Sequence, residues 1–105
     1  MRINEKVDIP LKRIAAFCSK WHISELALFG SVLGPDFGPR SDIDVLVTFE
    51  PDSRHNLFDL VQMEDELRAI FGRDVDLIDR KSVEASRNYI RRREVLGSME
   101  TVYVA

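Results

Sequence analysis

The chain has 105 residues, a length typical of one domain, and 45% of the residues are hydrophobic while 31% are charged. This composition excludes a disordered or fibrous chain, and no apolar run approaches the ~20 residues that span a bilayer. The lone Cys18 excludes an internal disulfide, and the charged start of the sequence does not fit a signal peptide. We therefore expect one cytoplasmic domain over residues 1–105, with no membrane partner.

Charge is distributed unevenly, although the net charge is only −3. Residues 1–79 carry 9 Lys/Arg and 15 Asp/Glu, whereas residues 80–94 carry six basic and two acidic side chains. The acidic body argues against general nucleic-acid binding. The basic segment is interpreted either as a solvated helix face or as a contact surface for a partner or RNA.

The first half of the sequence predicts a helix followed by two strands. Pro10 suits the first position of a helix whose apolar face includes Leu11, Ile14 and Cys18. Residues 25–29 read as a strand that ends at Gly30, and a loop rich in Gly and Pro follows. Residues 43–49 form the clearest strand, because they are rich in β-branched side chains.

The second half predicts a long helix and shorter elements. Apolar residues keep helical spacing over 57–71, up to the stop signal Gly72. A short strand over 75–78, a helix over 82–93 and a last strand over 102–104 follow. The alternation predicts an α/β or α+β fold, with a small mixed sheet flanked by helices.

The segment with the clearest chemistry is Gly30-Ser31, followed after ten residues by Asp42-Ile43-Asp44. Side chains alternate along a strand, so Asp42 and Asp44 point to one face and repel each other unless a divalent cation binds them. If the strand that carries Asp76 is a neighbour, three carboxylates converge, and such a set can hold two metal ions. Gly30 at the end of a strand, followed by Ser31 at the opening of a helix, would let the backbone approach a polyphosphate.

These residues resemble the GS-x10-D-x-D signature of the DNA polymerase β-like nucleotidyltransferases. The resemblance covers roughly residues 10–96, and it is closest to the minimal nucleotidyltransferases that act as antitoxins in HEPN/MNT toxin–antitoxin pairs. It implies a polymerase β-like fold and transfer of AMP from ATP to a tyrosine of a HEPN ribonuclease toxin. A hetero-oligomer with that toxin is implied as well.

The resemblance also implies roles for individual residues. Asp42, Asp44 and Asp76 would be catalytic and would bind two Mg²⁺ ions, with Mn²⁺ as a substitute. The implied nucleotide-binding residues are Gly30, Ser31 and Ser41. The sequence departs from many relatives in having Val32 and Gly34 after the GS pair and Gly38 before the aspartates, where those relatives carry basic residues. These departures remove possible phosphate contacts.

Two other functions remain open at this stage. One is an antitoxin that neutralises its partner by binding alone, without catalysis. The other is an RNA-binding accessory protein that uses the basic segment over 80–93. His22 and His55 lack ligand partners at metal-site spacing and are predicted to be surface or loop residues.

Overall fold

The computed structural model describes residues 2–4, 7–34, 37–38, 40–85, 87–88, 93 and 97–105. In that part of the chain, no helix is long and apolar enough to cross a membrane. The elements, in chain order, are β1 (Arg2–Asn4), β2 (Val7–Asp8), α1 (Leu11–Lys20), β3 (Ile23–Phe29), a 3₁₀ turn (Gly30–Leu33), β4 (Ile43–Phe49), α2 (Leu57–Phe71), β5 (Val75–Asp79), α3 (Arg80–Glu84) and β6 (Glu100–Val104).

A four-stranded mixed sheet in the order β5-β4-β3-β6 forms the centre of the fold. Strand β3 pairs antiparallel with β4 and β6, whereas β4 pairs in parallel with β5. Parallel neighbours need a crossover connection, and α2 provides it between β4 and β5. Strands β1 and β2 form a separate antiparallel pair. The predicted small mixed sheet with flanking helices is confirmed.

The two faces of the sheet have different coverings because side chains in β4 alternate between them. Ile43, Val45 and Val47 join the main core with side chains of α1 and α2. Leu46 points to the opposite face, in a smaller cluster. That cluster contains Ala27, Phe29 and Val83. Asp44 shares the direction of Leu46, so the acidic residue of β4 lies on the face opposite the two long helices.

Local signals define both ends of α2. The Asn56 side chain accepts a hydrogen bond from the Asp59 backbone N–H at 2.9 Å, and the Asp59 carboxylate accepts one from the Asn56 N–H at 3.1 Å. This reciprocal capping box satisfies two N–H groups at the helix start. Gly72 ends the helix in the left-handed conformation, with φ of 70°. The predicted helix over 57–71 is confirmed, and β5 starts at a defined point three residues after Gly72.

The predicted helix over 82–93 is interrupted in the described residues, so the prediction of one continuous helix is wrong. Helix α3 spans Arg80–Glu84, and Asp79 caps it by accepting a hydrogen bond from the Lys81 N–H at 3.0 Å. Residues 87–88 are not helical, Arg93 is helical, and residues 86, 89–92 and 94–96 lie outside the described part. Val83 is the one buried residue of α3. A longer helix there would have little packed surface to stabilise it.

One smaller expectation also differs from the structure. Pro10 occupies the cap position directly before α1 rather than its first helical position. His55 lies in the loop between β4 and α2, as predicted, and is half-buried, with its ring 4.4 Å from the Phe49 ring and 6.1 Å from the Trp21 ring between centroids. His22 is exposed, as predicted. Tertiary packing around Phe49 accounts for the burial of His55, which local sequence does not encode.

Candidate active site

Gly30 and Asp44 are in close contact where β3 ends. Phe29 lies opposite Asp44 in the β3–β4 ladder, so the next residue, Gly30, turns beside the carboxylate. Gly30 has φ of 76°, and a Cβ built there would collide with Asp44 Oδ2 and lie 3.3 Å from Asp44 Cγ. Glycine is required here for two reasons, which are the left-handed backbone and the space that Asp44 occupies.

Asp44 and Asp76 are direct neighbours across the parallel pair β4–β5. Paired residues on adjacent strands project to the same face, and the strands are about 4.8 Å apart. Asp42 directly precedes β4, and the ladder reaches this point because the Ile43 N–H donates to the Asp74 carbonyl at 2.9 Å. Asp42 and Asp76 are exposed, and Asp44 is half-buried. The pairing of β4 with β5 therefore allows the three predicted carboxylates to lie close together.

The donor set suits a divalent cation that arrives with its substrate. Among the described residues, no group of three or more His, Cys, Asp or Glu side chains is close enough to form a metal centre by itself. Mg²⁺ is usually bound through one or two carboxylates together with substrate phosphates, rather than in an all-protein cage. Carboxylates on one open face, beside a turn that only glycine permits, fit that mode of binding.

Two serines accompany the glycine and the aspartates. Ser31 is exposed in the turn after Gly30, and its carbonyl accepts a hydrogen bond from the Gly34 N–H at 3.0 Å. The sequence predicted that Ser31 opens a helix, but the element is a single 3₁₀ turn over Gly30–Leu33. Ser41 lies directly before Asp42, and its hydroxyl oxygen accepts a hydrogen bond from the Gly38 N–H at 3.1 Å. Its nucleotide-binding role stays a prediction.

Sequence reasoning missed Arg73, which contacts the loop before the aspartates. Its Nη1 donates to the carbonyls of Gly38 and Ser41, at 3.1 and 3.3 Å. The guanidinium carbon lies 4.4 Å from the centroid of the Phe37 ring. In the sequence, Arg73 is one more basic residue at the end of a helix, so nothing local distinguishes it. Arg73 contacts residues that precede it in the chain by 32 to 36 positions.

Residues 11–97 match the nucleotidyltransferase domain family. The chain belongs to this family. The match includes the glycine turn, all three aspartates and α2, so the residues that carry the predicted signature lie within the matched domain. This nucleotidyltransferase is therefore an enzyme of the class that the resemblance implied.

The nucleotidyltransferase is also similar to named proteins. It is 30% identical over 77 residues to the protein adenylyltransferase MntA of Thermococcus cleftensis, and the matched region covers 73% of this chain and 76% of that one. A crystal structure of a toxin–antitoxin with AMP-PNP superposes with a TM-score of 0.70 and 18% identity, covering 92% of this chain and 75% of the other. A tri-AMPylated HEPN toxin of Shewanella oneidensis in complex with MNT antitoxin gives a TM-score of 0.61, also at 18% identity, covering 90% of this chain and 70% of the other. The two structural similarities establish a shared fold.

Proposed function

We propose that the protein is a Mg²⁺-dependent protein adenylyltransferase that moves AMP from ATP onto a tyrosine of a HEPN ribonuclease toxin and so acts as its antitoxin. The observation that carries this proposal is the register that sets Asp76 opposite Asp44, beside the turn at Gly30. The name of the Thermococcus relative supports adenylyl transfer to protein. The complexes with AMP-PNP and with an AMPylated toxin support the nucleotide and the partner.

The three carboxylates divide metal binding and proton transfer between them in this proposal. Asp42 and Asp44 hold the metal ions, and Asp76 helps to hold them while it accepts the proton of the acceptor hydroxyl. Bound Mg²⁺ neutralises charge on the triphosphate and lowers the pKa of the acceptor hydroxyl. The hydroxyl oxygen forms a bond to the α-phosphorus as the bond to pyrophosphate breaks. The products are a protein–AMP phosphodiester and pyrophosphate.

Gly30, Ser31 and Ser41 bind the nucleotide in the same proposal. The absence of a Cβ at Gly30 allows the backbone of the turn to lie against Asp44, so phosphates held by the turn are next to the carboxylates. The exposed Ser31 hydroxyl donates to a phosphate oxygen. The Ser41 oxygen already accepts from Gly38, which leaves its hydroxyl proton for the nucleotide.

We propose that the acceptor tyrosine belongs to another chain. The complex of an AMPylated HEPN toxin with MNT antitoxin supports this arrangement. A hetero-oligomer with a HEPN toxin in the cytoplasm supplies the acceptor. The acidic body of the chain makes RNA an unfavoured acceptor.

The test is transfer of label from ATP in a lysate of the host organism. The purified protein is incubated with Mg²⁺ and either α-labelled or γ-labelled ATP. We expect α-label on one discrete protein, no γ-label, and release of label on phosphodiesterase treatment. Mass spectrometry then identifies the acceptor, and its tyrosine-to-phenylalanine variant must lose the label.

Two variants give this experiment its specificity. Asp42→Asn combined with Asp44→Asn removes two of the three carboxylate charges from the site, whereas Asp52→Asn changes an exposed aspartate in a turn after β4. The double variant must abolish labelling and the Asp52→Asn control must retain it. If the double variant still neutralises the toxin in cells, neutralisation is by binding alone and the catalytic proposal is wrong.

A further inference from the structure

Arg73 is tied to the segment that precedes the first site aspartate. The residue lies between the end of α2 and the start of β5, and its side chain reaches across to the loop before β4. Its Nη1 donates to the Gly38 carbonyl at 3.1 Å and to the Ser41 carbonyl at 3.3 Å. Its guanidinium carbon lies 4.4 Å from the centroid of Phe37, whose side chain is 1% exposed. One planar cation therefore connects a buried ring to both ends of a four-residue turn.

The turn that Arg73 holds is closed by hydrogen bonds of its own. The Ser41 N–H donates to the Gly38 carbonyl at 3.1 Å, and the Gly38 N–H donates to the Ser41 hydroxyl oxygen at 3.1 Å. The Gly38 carbonyl thus accepts from both Ser41 and Arg73. These bonds define where the chain leaves the turn, and the next residue is Asp42.

The same short segment also holds the chain on the other side of Asp42. Asp74, next to Arg73, accepts a hydrogen bond on its backbone carbonyl from the Ile43 N–H at 2.9 Å. Asp42 is therefore flanked by two anchored residues, Ser41 and Ile43. Both anchors come from the start of the segment that continues into β5, the strand that carries Asp76.

We propose that Arg73 is a positioning residue that holds Asp42 in register with Asp44 and Asp76, so that the carboxylates are arranged for a divalent cation and a triphosphate. The inference rests on the proposed function, because it assigns Arg73 a task in that site. Arg73 acts through the backbone of the turn. Its contribution is preorganisation, which removes alternative positions of Asp42 before the cation binds.

The chemistry of the contacts is specific to arginine. A guanidinium is planar, stacks on an aromatic ring and offers donors in a fixed fork, whereas a lysine ammonium is a compact, strongly hydrated charge on a flexible stem. Two carbonyl acceptors beside an aromatic face match the first group better than the second. We therefore expect Arg73→Lys to keep the charge and lose the positioning.

Binding of Mn²⁺ tests this inference without any transfer reaction. Mn²⁺ is titrated into the protein in the presence of α,β-methylene ATP, whose α–β bond resists cleavage, and free Mn²⁺ is measured by electron paramagnetic resonance. Arg73→Lys and Arg73→Gln are compared with the wild type and with the Asp42→Asn, Asp44→Asn protein. Arg13→Lys is the matched control, because Arg13 donates to the Ala69 carbonyl at 3.4 Å between α1 and α2.

We expect both Arg73 variants to weaken Mn²⁺ binding about 10-fold or more, which is the usual effect of losing a residue that orients metal ligands. The control must bind as the wild type does, and all proteins must be folded by circular dichroism at the temperature of the titration. Arg73→Gln, whose shorter side chain lacks the guanidinium that stacks on Phe37, is the second variant if Arg73→Lys unfolds.

Three results would overturn the inference, and they can be told apart. Wild-type Mn²⁺ affinity in both Arg73 variants, with loss in the double aspartate variant, would refute the positioning role and leave the metal site intact. Equal weakening in Arg13→Lys would show that general destabilisation is the cause. Equal binding by the wild type and the double aspartate variant would refute the metal site itself, and with it the proposed function.

Discussion

Gly30→Ala is the sharpest single perturbation of this site. Alanine at φ of 76° costs about 1–2 kcal/mol because its Cβ approaches the following carbonyl oxygen. The new Cβ would also collide with Asp44 Oδ2, which must retreat by about 1 Å to reach van der Waals separation. A displacement of that size in a site that positions reactants costs about 100-fold in rate. We expect Gly30→Ala to lose both stability and transfer.

Two other glycines allow the cost of backbone strain to be measured apart from the cost of the collision with Asp44. Gly72 has φ of 70°, but a Cβ there meets nothing within 4 Å, so Gly72→Ala measures the backbone strain alone. Gly34 has φ of −108°, and its nearest atom would be the Ser31 carbonyl oxygen at 3.6 Å, so Gly34→Ala is the control for adding a methyl group to the same turn. We expect Gly34→Ala to be near neutral in stability.

Thermal unfolding and transfer of α-label are measured for all three variants. Each kcal/mol of destabilisation lowers Tm by roughly 4–8 °C in a domain of this size. Gly72→Ala and Gly30→Ala should both lower Tm, with the larger decrease in Gly30→Ala, and only Gly30→Ala should lose transfer. If Gly30→Ala matches Gly72→Ala in Tm and keeps wild-type transfer, the reasoning about the contact between Gly30 and Asp44 is wrong.

Three further predictions concern single side chains. Asp76→Asn should reduce transfer about 100-fold or more while ATP binding, measured by calorimetry, changes little; equal loss of both would remove its role as proton acceptor. Burial raises the pKa of the Cys18 thiol to about 12, so a disulfide reagent at pH 8 should modify Cys18 only after unfolding in urea; rapid labelling of the native protein would contradict this. Burial raises the pKa of Glu66, but hydrogen bonds from Lys20 and Trp21 and the Lys20 charge outweigh it, so the pKa lies below its ordinary value of 4.5. Glu66→Gln should therefore cost ~1 kcal/mol of unfolding free energy at neutral pH, a difference that disappears as the pH falls through the lowered pKa; a difference that persists at pH 2 would contradict it.

Local patterns in the sequence were sufficient for several elements of the fold. Helix α2 was predictable because its apolar spacing ends at Gly72, which adopts the left-handed conformation that such an ending needs. Strand β4 was predictable from its β-branched residues, and period 2 then places Asp42 and Asp44 on one face. Each of these features is decided within a few residues, so a single sequence contains the information.

The basic segment shows where local reasoning failed. One continuous helix over 82–93 was expected, yet α3 ends at Glu84 and residues 87–88 are not helical, although Arg93 is. The length of a helix depends on how many of its turns pack against the rest of the protein. Val83 is the only buried residue of α3. Such packing is a property of the assembled sheet and not of residues 80–93.

The sequence by itself determined the residue types of the site, namely the Gly30-Ser31 pair, the aspartates and their spacing along the chain. The tertiary structure alone decided that β5 runs parallel beside β4 with Asp76 opposite Asp44, and that Arg73 reaches the loop before Asp42. The physical reason is distance along the chain. Spacing within one strand follows from backbone geometry, but pairing of residues about 32 positions apart depends on which surfaces α2 and the sheet bury together.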